Sequence, residues 1–212
     1  MGYARGRSEM TRIIAGMYRG RRVHTPKGSA TRPTSDRIRE AVFSALAARE
    51  GLAGARVLDL FAGSGALGIE AVSRGAAAAT LVDRDRAALA AMRRTVADLG
   101  LREVRVQARE VSAYLGGDAS EHDLVFLDPP YELSDDALSV VLGALMRGWL
   151  AELGLVVVER SARSGEPRWA EGLEPEWHRR YGDTAIWVAR AVDAARGPRE
   201  VDAPPPTSDA AR

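Results

Sequence analysis

The 212-residue sequence contains no cysteine and only three histidines, which lie far apart at His24, His122 and His178. Without thiols, the chain can form no disulfide framework, thiolate zinc site, iron–sulfur cluster or cysteine nucleophile. Three scattered imidazoles also argue against a metal site, so no metal is expected. No apolar run approaches the ~20 residues needed to span a bilayer, and the N-terminus lacks the apolar segment of a signal peptide. These absences favour a soluble, cytoplasmic protein with no membrane partner.

Lysine is also scarce, since Lys27 is the only lysine among 30 basic residues. The formal net charge is +1, but the charges are unevenly distributed. Residues 1–40 carry ten basic and three acidic side chains, a net charge of +7, whereas the rest carries twenty and twenty-six, a net charge of −6. A basic segment on a mildly acidic body is typical of a protein that binds a polyanion with one part of its surface. The alternative interpretation is a solvated basic arm.

Strands and helices alternate from residue 56 onward. Short apolar runs predict strands over residues 56–60, 79–82, 104–107, 123–127 and 155–159, followed by a hairpin over residues 177–181 and 184–190. The intervening segments carry the apolar period and the end signals of helices, such as Asp85 and Gly100, and the last of these helices is expected over 135–149. Repeated units of this kind predict an α/β fold with a doubly wound, mostly parallel, seven-stranded Rossmann-like sheet.

The basic N-terminal segment has a different pattern. Residues 12–25 mix β-forming residues with Gly16 and Gly20, which predicts short strands joined by a turn. Thr34 or Ser35 can then cap a helix. One interpretation of the charged residues at 36, 39 and 40 is a charge cluster within that helix.

A glycine-rich turn, DLFAGSGALG over residues 59–68, follows the first predicted strand of the sheet. Its glycines let the backbone approach a ligand, and the next helix presents free N–H groups. Together with Asp83, twenty residues after Gly63, the turn matches a dinucleotide fingerprint, so it fits NAD as well as S-adenosylmethionine. Asp59 favours S-adenosylmethionine, because a carboxylate there attracts the cationic amino group of a methionine moiety and repels a pyrophosphate.

The second motif, DPPY over residues 128–131, follows an apolar strand. Two consecutive prolines fix the backbone and remove two N–H donors, which leaves the Asp128 carboxylate and the Pro129 carbonyl as acceptors. An amino group on a planar base needs such acceptors, because hydrogen bonds to both of its N–H groups orient it and expose its lone pair. Tyr131 offers a ring for base stacking. Because the carboxyl ends of parallel strands meet at one edge, this motif and the first one should converge.

In combination, the two motifs resemble those of S-adenosylmethionine-dependent amino-methyltransferases. The N-terminal part, with RIIAG at 12–16, RGR at 19–21 and RPTSDRIREAVF at 32–43, is similar to the RsmD family, which methylates a guanine N2 of small-subunit (16S) ribosomal RNA. The similarity runs from about residue 11 to residue 190. It implies S-adenosylmethionine as cofactor, and 16S ribosomal RNA or a small-subunit particle as partner. A monomer is expected.

The resemblance also implies a role for individual residues. The residues assigned to the cofactor are Asp59, Phe61, Gly63, Gly65, Asp83, Arg84, Glu110 and Thr34. Those assigned to the target base, as the catalytic set, are Asp128, Pro129 and Tyr131. Those assigned to RNA are Arg12, Arg19, Arg21, Arg22, Arg32 and Arg37.

Four parts of the chain follow from these patterns. Residues 1–10 are expected to be a disordered N-terminus, and residues 11–34 a basic β extension that binds RNA. Residues 35–192 are expected to form the methyltransferase domain, and residues 193–212, with a run of three prolines, a disordered tail.

Other functions stay open at this point. The second motif fits methylation of adenine N6, cytosine N4 or a glutamine side chain as well. A non-catalytic RNA-binding assembly factor that holds the cofactor is a second alternative, although a binding module has no need of Asp59, Asp83 and Asp128 together. An NAD-dependent dehydrogenase is a third, but two prolines after the strand supply it with no proton relay.

Overall fold

The computed structural model describes residues 11–26, 36–49, 51–130 and 132–192. The predictions of disorder over 1–10 and 193–212 lie outside these ranges, as do Arg32, Thr34 and Tyr131. The strands are β1 (Thr11–Arg12), β2 (Arg22–Val23), β3 (Arg56–Leu60), β4 (Ala78–Asp83), β5 (Val104–Ala108), β6 (His122–Leu127), β7 (Leu150–Ser161), β8 (Leu173–Tyr181) and β9 (Thr184–Ala191). The helices are α1 (Asp36–Arg49), α2 (Ala66–Ser73), α3 (Arg86–Leu99), α4 (Val111–Leu115) and α5 (Asp135–Leu145).

Seven strands form one sheet in the order β5-β4-β3-β6-β7-β9-β8. The strands from β5 to β7 are parallel, and β9 is antiparallel to both of its neighbours. The chain moves outward from β3 to β5 and then returns to the other side of β3 with β6. The predicted fold class is therefore confirmed, and the strand order reverses between β3 and β6, where doubly wound sheets bind their ligands.

Two apolar layers cover the sheet. On one side lie α1, α2 and α3, where the ring of Phe43 packs 5.6 Å from that of Phe126 between centroids. On the other side lie α4 and α5, around the buried ring of Trp149. Residues 124–127 of β6 are all buried, as expected for a central parallel strand covered on both faces.

The helix ends show where the sequence was informative. Asp85 accepts a hydrogen bond from the N–H of Ala88 at 2.8 Å, and Gly100 ends α3 with a φ of 65°, so both predicted ends are confirmed. Helix α4 was not predicted, because five residues are too few to display a 3.6-residue period. Helix α5 ends before the predicted boundary at 149, because Gly148 adopts a φ of 94° and the chain turns into β7.

The strands β1 and β2 form an antiparallel N-terminal hairpin (residues 11–26), which two buried charged side chains fasten to the body. Glu70 of α2 is 0% exposed, and its carboxylate accepts the N–H groups of Ile14 at 2.8 Å and Ala15 at 3.0 Å. Arg39 of α1 is 1% exposed, donates to the hydroxyl of Thr11 at 3.1 Å and lies 3.7 Å from Glu70. The expected pair within α1 is present, since Arg39 lies 3.1 Å from Asp36, and Arg39 in addition joins α1 to the hairpin and to α2.

Candidate active site

The register of the sheet brings three of the predicted site residues to one level. Leu60 of β3 pairs with Val82 of β4 and with Leu127 of β6. The residues that follow these three are Phe61, Asp83 and Asp128, which therefore lie together at the carboxyl edge of β3, β4 and β6. The expected convergence of the two motifs is observed in the backbone, at the place where the strand order reverses.

Asp59 is the most deeply placed acid of this edge, at 1% exposure. Its Oδ2 accepts the N–H of Gly68 at 2.9 Å, while its Oδ1 is buried and finds no hydrogen-bond donor in the part of the chain that the structure describes. Burial raises the pKa of Asp59 to about 8, which the bond from Gly68 partly offsets and the nearby charge of Asp83 reinforces. A buried acceptor without a donor is costly unless a ligand supplies one.

Asp83 holds the glycine-rich turn against the end of β4. Its Oδ2 accepts the N–H of Gly63 at 2.8 Å, and its Oδ1 accepts the N–H of Asp85 at 2.8 Å. Each carboxylate oxygen keeps a further lone pair, so these two bonds leave room for ribose hydroxyls. The carboxylate thus organises the turn in addition to the ligand role that the sequence predicts for it.

The turn itself needs glycine at particular positions. Gly63 and Gly65 have φ values of 56° and 74°, which favour glycine, and a Cβ at Gly68 would lie 2.3 Å from the side chain of Leu81. Phe61 also has a left-handed φ of 59°, which costs a non-glycine residue on the order of 1 kcal/mol. Such strain at a ligand-binding edge is typical of functional positions.

Glu110 and Arg84 lie next to each other beyond the ends of β5 and β4. Glu110 caps α4 by accepting the N–H of Ala113 at 3.2 Å, and it contacts the hydroxyl of Ser112. The Ser112 hydroxyl, the bond from Ala113 and the charge of Arg84 hold the pKa of Glu110 below its ordinary value. The helix cap was not foreseen, and contact with an adenine ring stays a prediction for both residues.

The catalytic turn, residues 128–130, continues directly from β6. Asp128 and Pro129 are partly exposed, and Pro130 is exposed. The carbonyl of Pro130 accepts the N–H of Leu133 at 2.9 Å, which closes the turn before α5 begins. The role of Tyr131 stays a prediction, because this residue lies outside the described ranges.

The described arginines assigned to RNA lie on the N-terminal hairpin and at the start of α1. Four of them occupy exposed positions on the N-terminal hairpin: Arg12, Arg19, Arg21 and Arg22. Arg37 is exposed near the start of α1, and Arg32 lies outside the described residues. The hairpin packs on α2 and α3, since Met17 N–H bonds to the Ser73 carbonyl at 2.7 Å and His24 N–H to the Thr95 hydroxyl at 3.0 Å.

Two features escaped the sequence interpretation. The first is the buried pair of Arg39 and Glu70; a glutamate inside the otherwise apolar stretch ALGIEAV could have indicated it. The second is a groove of about 380 Å³ between the start of β6, residues 51–55 and residues 152–155. The groove lies at the amino edge of β3 and β6, opposite the carboxyl edge that carries Asp59, Asp83 and Asp128, so cavity volume alone does not locate the site.

No group of three or more His, Asp or Glu side chains in residues 11–26, 36–49, 51–130 and 132–192 could hold a metal ion. No helix within those ranges is both long and apolar enough to cross a bilayer.

A doubly wound sheet with an acidic glycine turn and an Asp-Pro-Pro turn at its reversal point defines an α/β methyltransferase. The family described as Conserved hypothetical protein 95 matches residues 11–190, and the chain belongs to this family. The resemblance inferred from the motifs is thereby confirmed.

Individual relatives agree with this assignment. Ribosomal RNA small subunit methyltransferase D of Escherichia coli K12 is 39% identical over 162 residues, which cover 76% of this chain and 79% of that protein. A solved Escherichia coli structure, provisionally described as a methyltransferase, has a TM-score of 0.77 and 34% identity and covers 86% of this chain and 98% of its own. A Streptococcus mutans structure, provisionally described as an S-adenosylmethionine-dependent methyltransferase, shares the fold alone, with 15% identity, a TM-score of 0.59 and coverage of 73% and 48%.

Proposed function

We propose that this chain transfers a methyl group from S-adenosylmethionine to the exocyclic N2 amine of a guanine in small-subunit (16S) ribosomal RNA. The observation that carries the proposal is the position of the Asp-Pro-Pro turn, which lies one strand away from the glycine-rich turn and level with Phe61 and Asp83. The curated relative from Escherichia coli is named for small-subunit ribosomal RNA, which supports the choice of substrate.

The residues present fit the cofactor. The orphaned Oδ1 of Asp59 is an acceptor for the cationic amino group of the methionine moiety, and the left-handed Gly63 and Gly65 leave space for close approach to the backbone. Asp83 retains lone pairs for the ribose hydroxyls. Arg84 follows Asp83 directly, and Glu110 lies beyond the end of the next strand, so these two residues are proposed to contact the adenine. When bound, S-adenosylmethionine supplies an electrophilic methyl carbon on a sulfonium that is already a good leaving group.

The chain itself positions the amine. The Asp128 carboxylate and the Pro129 carbonyl accept one N–H each, which pins the amine and turns its lone pair toward the methyl group. The oriented nitrogen would accept the methyl group that S-adenosylmethionine supplies, with S-adenosylhomocysteine as the leaving product, and the Asp128 carboxylate would take the proton that the methylated nitrogen releases. Positioning and exclusion of water therefore supply most of the acceleration, since no acid is needed at the leaving sulfur. Tyr131 stacks on the base.

The RNA is held by the basic N-terminal extension over residues 11–34. Exposed arginines on a small hairpin suit phosphate contacts, which position structured RNA without reading its sequence. Residues 35–192 form the catalytic domain. A monomer in the cytoplasm, where small-subunit RNA is found, completes the proposal.

The decisive experiment uses RNA from a strain that lacks this protein. The full chain, labelled S-adenosylmethionine and total RNA are incubated, and the labelled nucleoside is identified. We expect N2-methylguanosine in small-subunit RNA with the wild-type chain and no transfer with Asp128→Ala, while Glu103→Gln, at an exposed residue far from the turn, retains full activity. Label in N6-methyladenosine or N4-methylcytidine would replace the guanine assignment, and no label with cofactor bound would favour a non-catalytic assembly factor.

A further inference from the structure

A second basic surface lies at the far end of the sheet from the N-terminal hairpin. Strand β8 is the edge strand, and its charges are segregated along its length: Glu174 and Glu176 near its start, and His178, Arg179 and Arg180 near its end. All three basic side chains are exposed. We call residues 177–181 the β8 rim.

The register places the rim level with the catalytic turn. Leu127 pairs with Val158, Val158 with Trp187, and Trp187 with His178. The strand β8 also runs in the same direction as β6, because two antiparallel pairings separate it from β7. Residues 179–181 therefore extend past the level at which β6 ends, on the same side of the sheet as residues 128–130, and remain paired with residues 184–186 of β9. Three strand spacings make the separation roughly 14 Å.

Aromatic rings accompany the basic residues on both faces of the rim. The guanidinium of Arg179 lies 5.9 Å from the centroid of the Trp177 ring, and alternation puts Tyr181 on the same face. On the other face, the imidazole of His178 stacks on Trp187 at 4.4 Å between centroids, with an interplanar angle of 19°. Cationic groups interleaved with rings are the usual platform for the backbone and bases of an RNA strand.

We propose that the β8 rim binds the same RNA as the N-terminal hairpin, on the opposite side of the catalytic turn. The hairpin docks on α2 and α3, which pack over β3, β4 and β5, whereas the rim ends the other half of the sheet. An RNA held at both places runs across the turn that presents Asp128. This inference rests on the proposed function for the identity of its ligand.

Edge protection is the competing explanation of the rim. Exposed charges on an edge strand prevent pairing with another chain, and they do so with either sign. Edge protection alone would not require the acidic and basic residues to be separated, with the basic end at the level of the catalytic turn. It also predicts no effect of the arginines on RNA affinity, so a binding experiment distinguishes the two.

The test compares two double variants of the full chain. Arg179→Gln with Arg180→Gln neutralises the rim, and Arg102→Gln with Arg105→Gln neutralises two exposed arginines near the start of β5, the opposite edge strand. Affinity for 16S ribosomal RNA is measured by filter binding over a range of salt, and S-adenosylhomocysteine affinity by calorimetry. For the rim variant we expect about tenfold weaker RNA binding and a log–log salt slope lower by roughly 1.4–1.8, at unchanged S-adenosylhomocysteine affinity. The control variant should bind RNA like the wild type.

Equal RNA affinity and slope for the two variants would overturn the proposal, whether or not the wild type transfers methyl groups. A wild type that binds RNA through the rim but methylates none would remove the proposed function and leave the rim standing. If the rim variant loses affinity for assembled small-subunit particles but not for naked RNA, its partner is a ribosomal protein and the RNA assignment is wrong.

Discussion

Glu70 of α2 and Asp59 of β3 are both buried carboxylates in contact with α2, but the chain supplies them with different numbers of hydrogen-bond donors. Glu70 accepts three hydrogen bonds, from Ile14, Ala15 and the guanidinium of Arg74, with a second guanidinium, that of Arg39, 3.7 Å away. Asp59 accepts one bond from Gly68, and its other oxygen has no hydrogen-bond partner among the described residues. Equal burial therefore does not mean an equal role, and the number of donors supplied by the chain itself separates the two.

The difference assigns each carboxylate to a task. Both oxygens of the Glu70 carboxylate have hydrogen-bond donors within the chain, so its charge serves to hold the N-terminal hairpin in one place. Asp59 has one oxygen that lacks a donor, and this oxygen costs stability until a cationic ligand donates to it. Helix α2 thus connects the attachment of the hairpin at Glu70 to the cofactor site at Gly68, two residues or about half a turn away along the helix.

The largest effect on the free energy of unfolding should come from removing the charge of Glu70. Glu70→Gln places an amide among donors and leaves the buried Arg39 with only the exposed carboxylate of Asp36, 3.1 Å away, as counter-charge, so we expect the free energy of unfolding to fall by about 3–5 kcal/mol. Denaturant unfolding measures the loss, with the exposed Glu103→Gln as the control. A loss below about 1 kcal/mol would mean that the hairpin is not held by this charge.

The opposite change is expected at Asp59. Asp59→Asn removes an acid that the folded chain holds protonated up to about pH 8, so at pH 7 the free energy of unfolding of the ligand-free chain should rise by about 1–3 kcal/mol. Calorimetry should at the same time show S-adenosylhomocysteine binding weakened at least about tenfold, the scale of a lost charged hydrogen bond. Lower stability together with intact binding would place Asp59 with Glu70 as a structural residue.

The pH dependence of stability sharpens the same contrast. The folded chain keeps the proton of Asp59 up to about pH 8, whereas the unfolded chain releases it near the ordinary pKa of 3.8. The contribution of this group to stability is therefore full below about pH 4 and is lost as the pH rises through 8. Relative to Asp59→Asn, the free energy of unfolding of the wild type should fall by up to about 1.4 kcal/mol per pH unit within that window. Parallel curves for the two proteins would show that Asp59 titrates normally.

The smallest effect concerns the second attachment of the hairpin. Thr95 is 0% exposed and accepts the N–H of His24 at 3.0 Å, so the near-isosteric Thr95→Val leaves that donor unpaired. We expect a loss of about 1 kcal/mol in the free energy of unfolding, well below the effect at Glu70. Hydrogen exchange should show faster exchange of the His24 amide, while the amides of Ile14 and Ala15 stay protected. Loss of protection at all three amides would mean that the Thr95 contact, and not Glu70, is the main attachment of the hairpin.

Much of the fold could be read from patterns that depend on neighbours in the chain. The apolar runs, the Asp85 cap and Gly100 report local geometry, and seven strands of one sheet follow from them. The convergence of the two motifs was also foreseeable, because parallel strands share their carboxyl edge. The roles of the individual site residues stay predictions.

What could not be read depends on residues that are distant in the chain. Glu70 and Arg39 look like ordinary helix charges in the sequence, because they are 31 positions apart from each other. The hairpin residues that they contact are 27 to 56 positions away from them. The same holds for the β8 rim, whose basic residues gain meaning only from a register that passes through β9 and β7 to β6. The number of donors around Asp59 likewise depends on tertiary packing rather than on the motif.

The sequence separation between the hairpin and the helices to which it binds has a consequence for synthesis of the chain. Its bonds to Glu70, Ser73, Thr95 and Asp98 join residues that are 55 to 74 positions apart. At roughly 5–20 residues per second, the hairpin waits on the order of several seconds before α3 has been translated. During that time a two-stranded hairpin cannot hold its own shape. Its high density of arginine keeps this undocked segment soluble, so the charge proposed to bind RNA in the finished enzyme also protects the nascent chain.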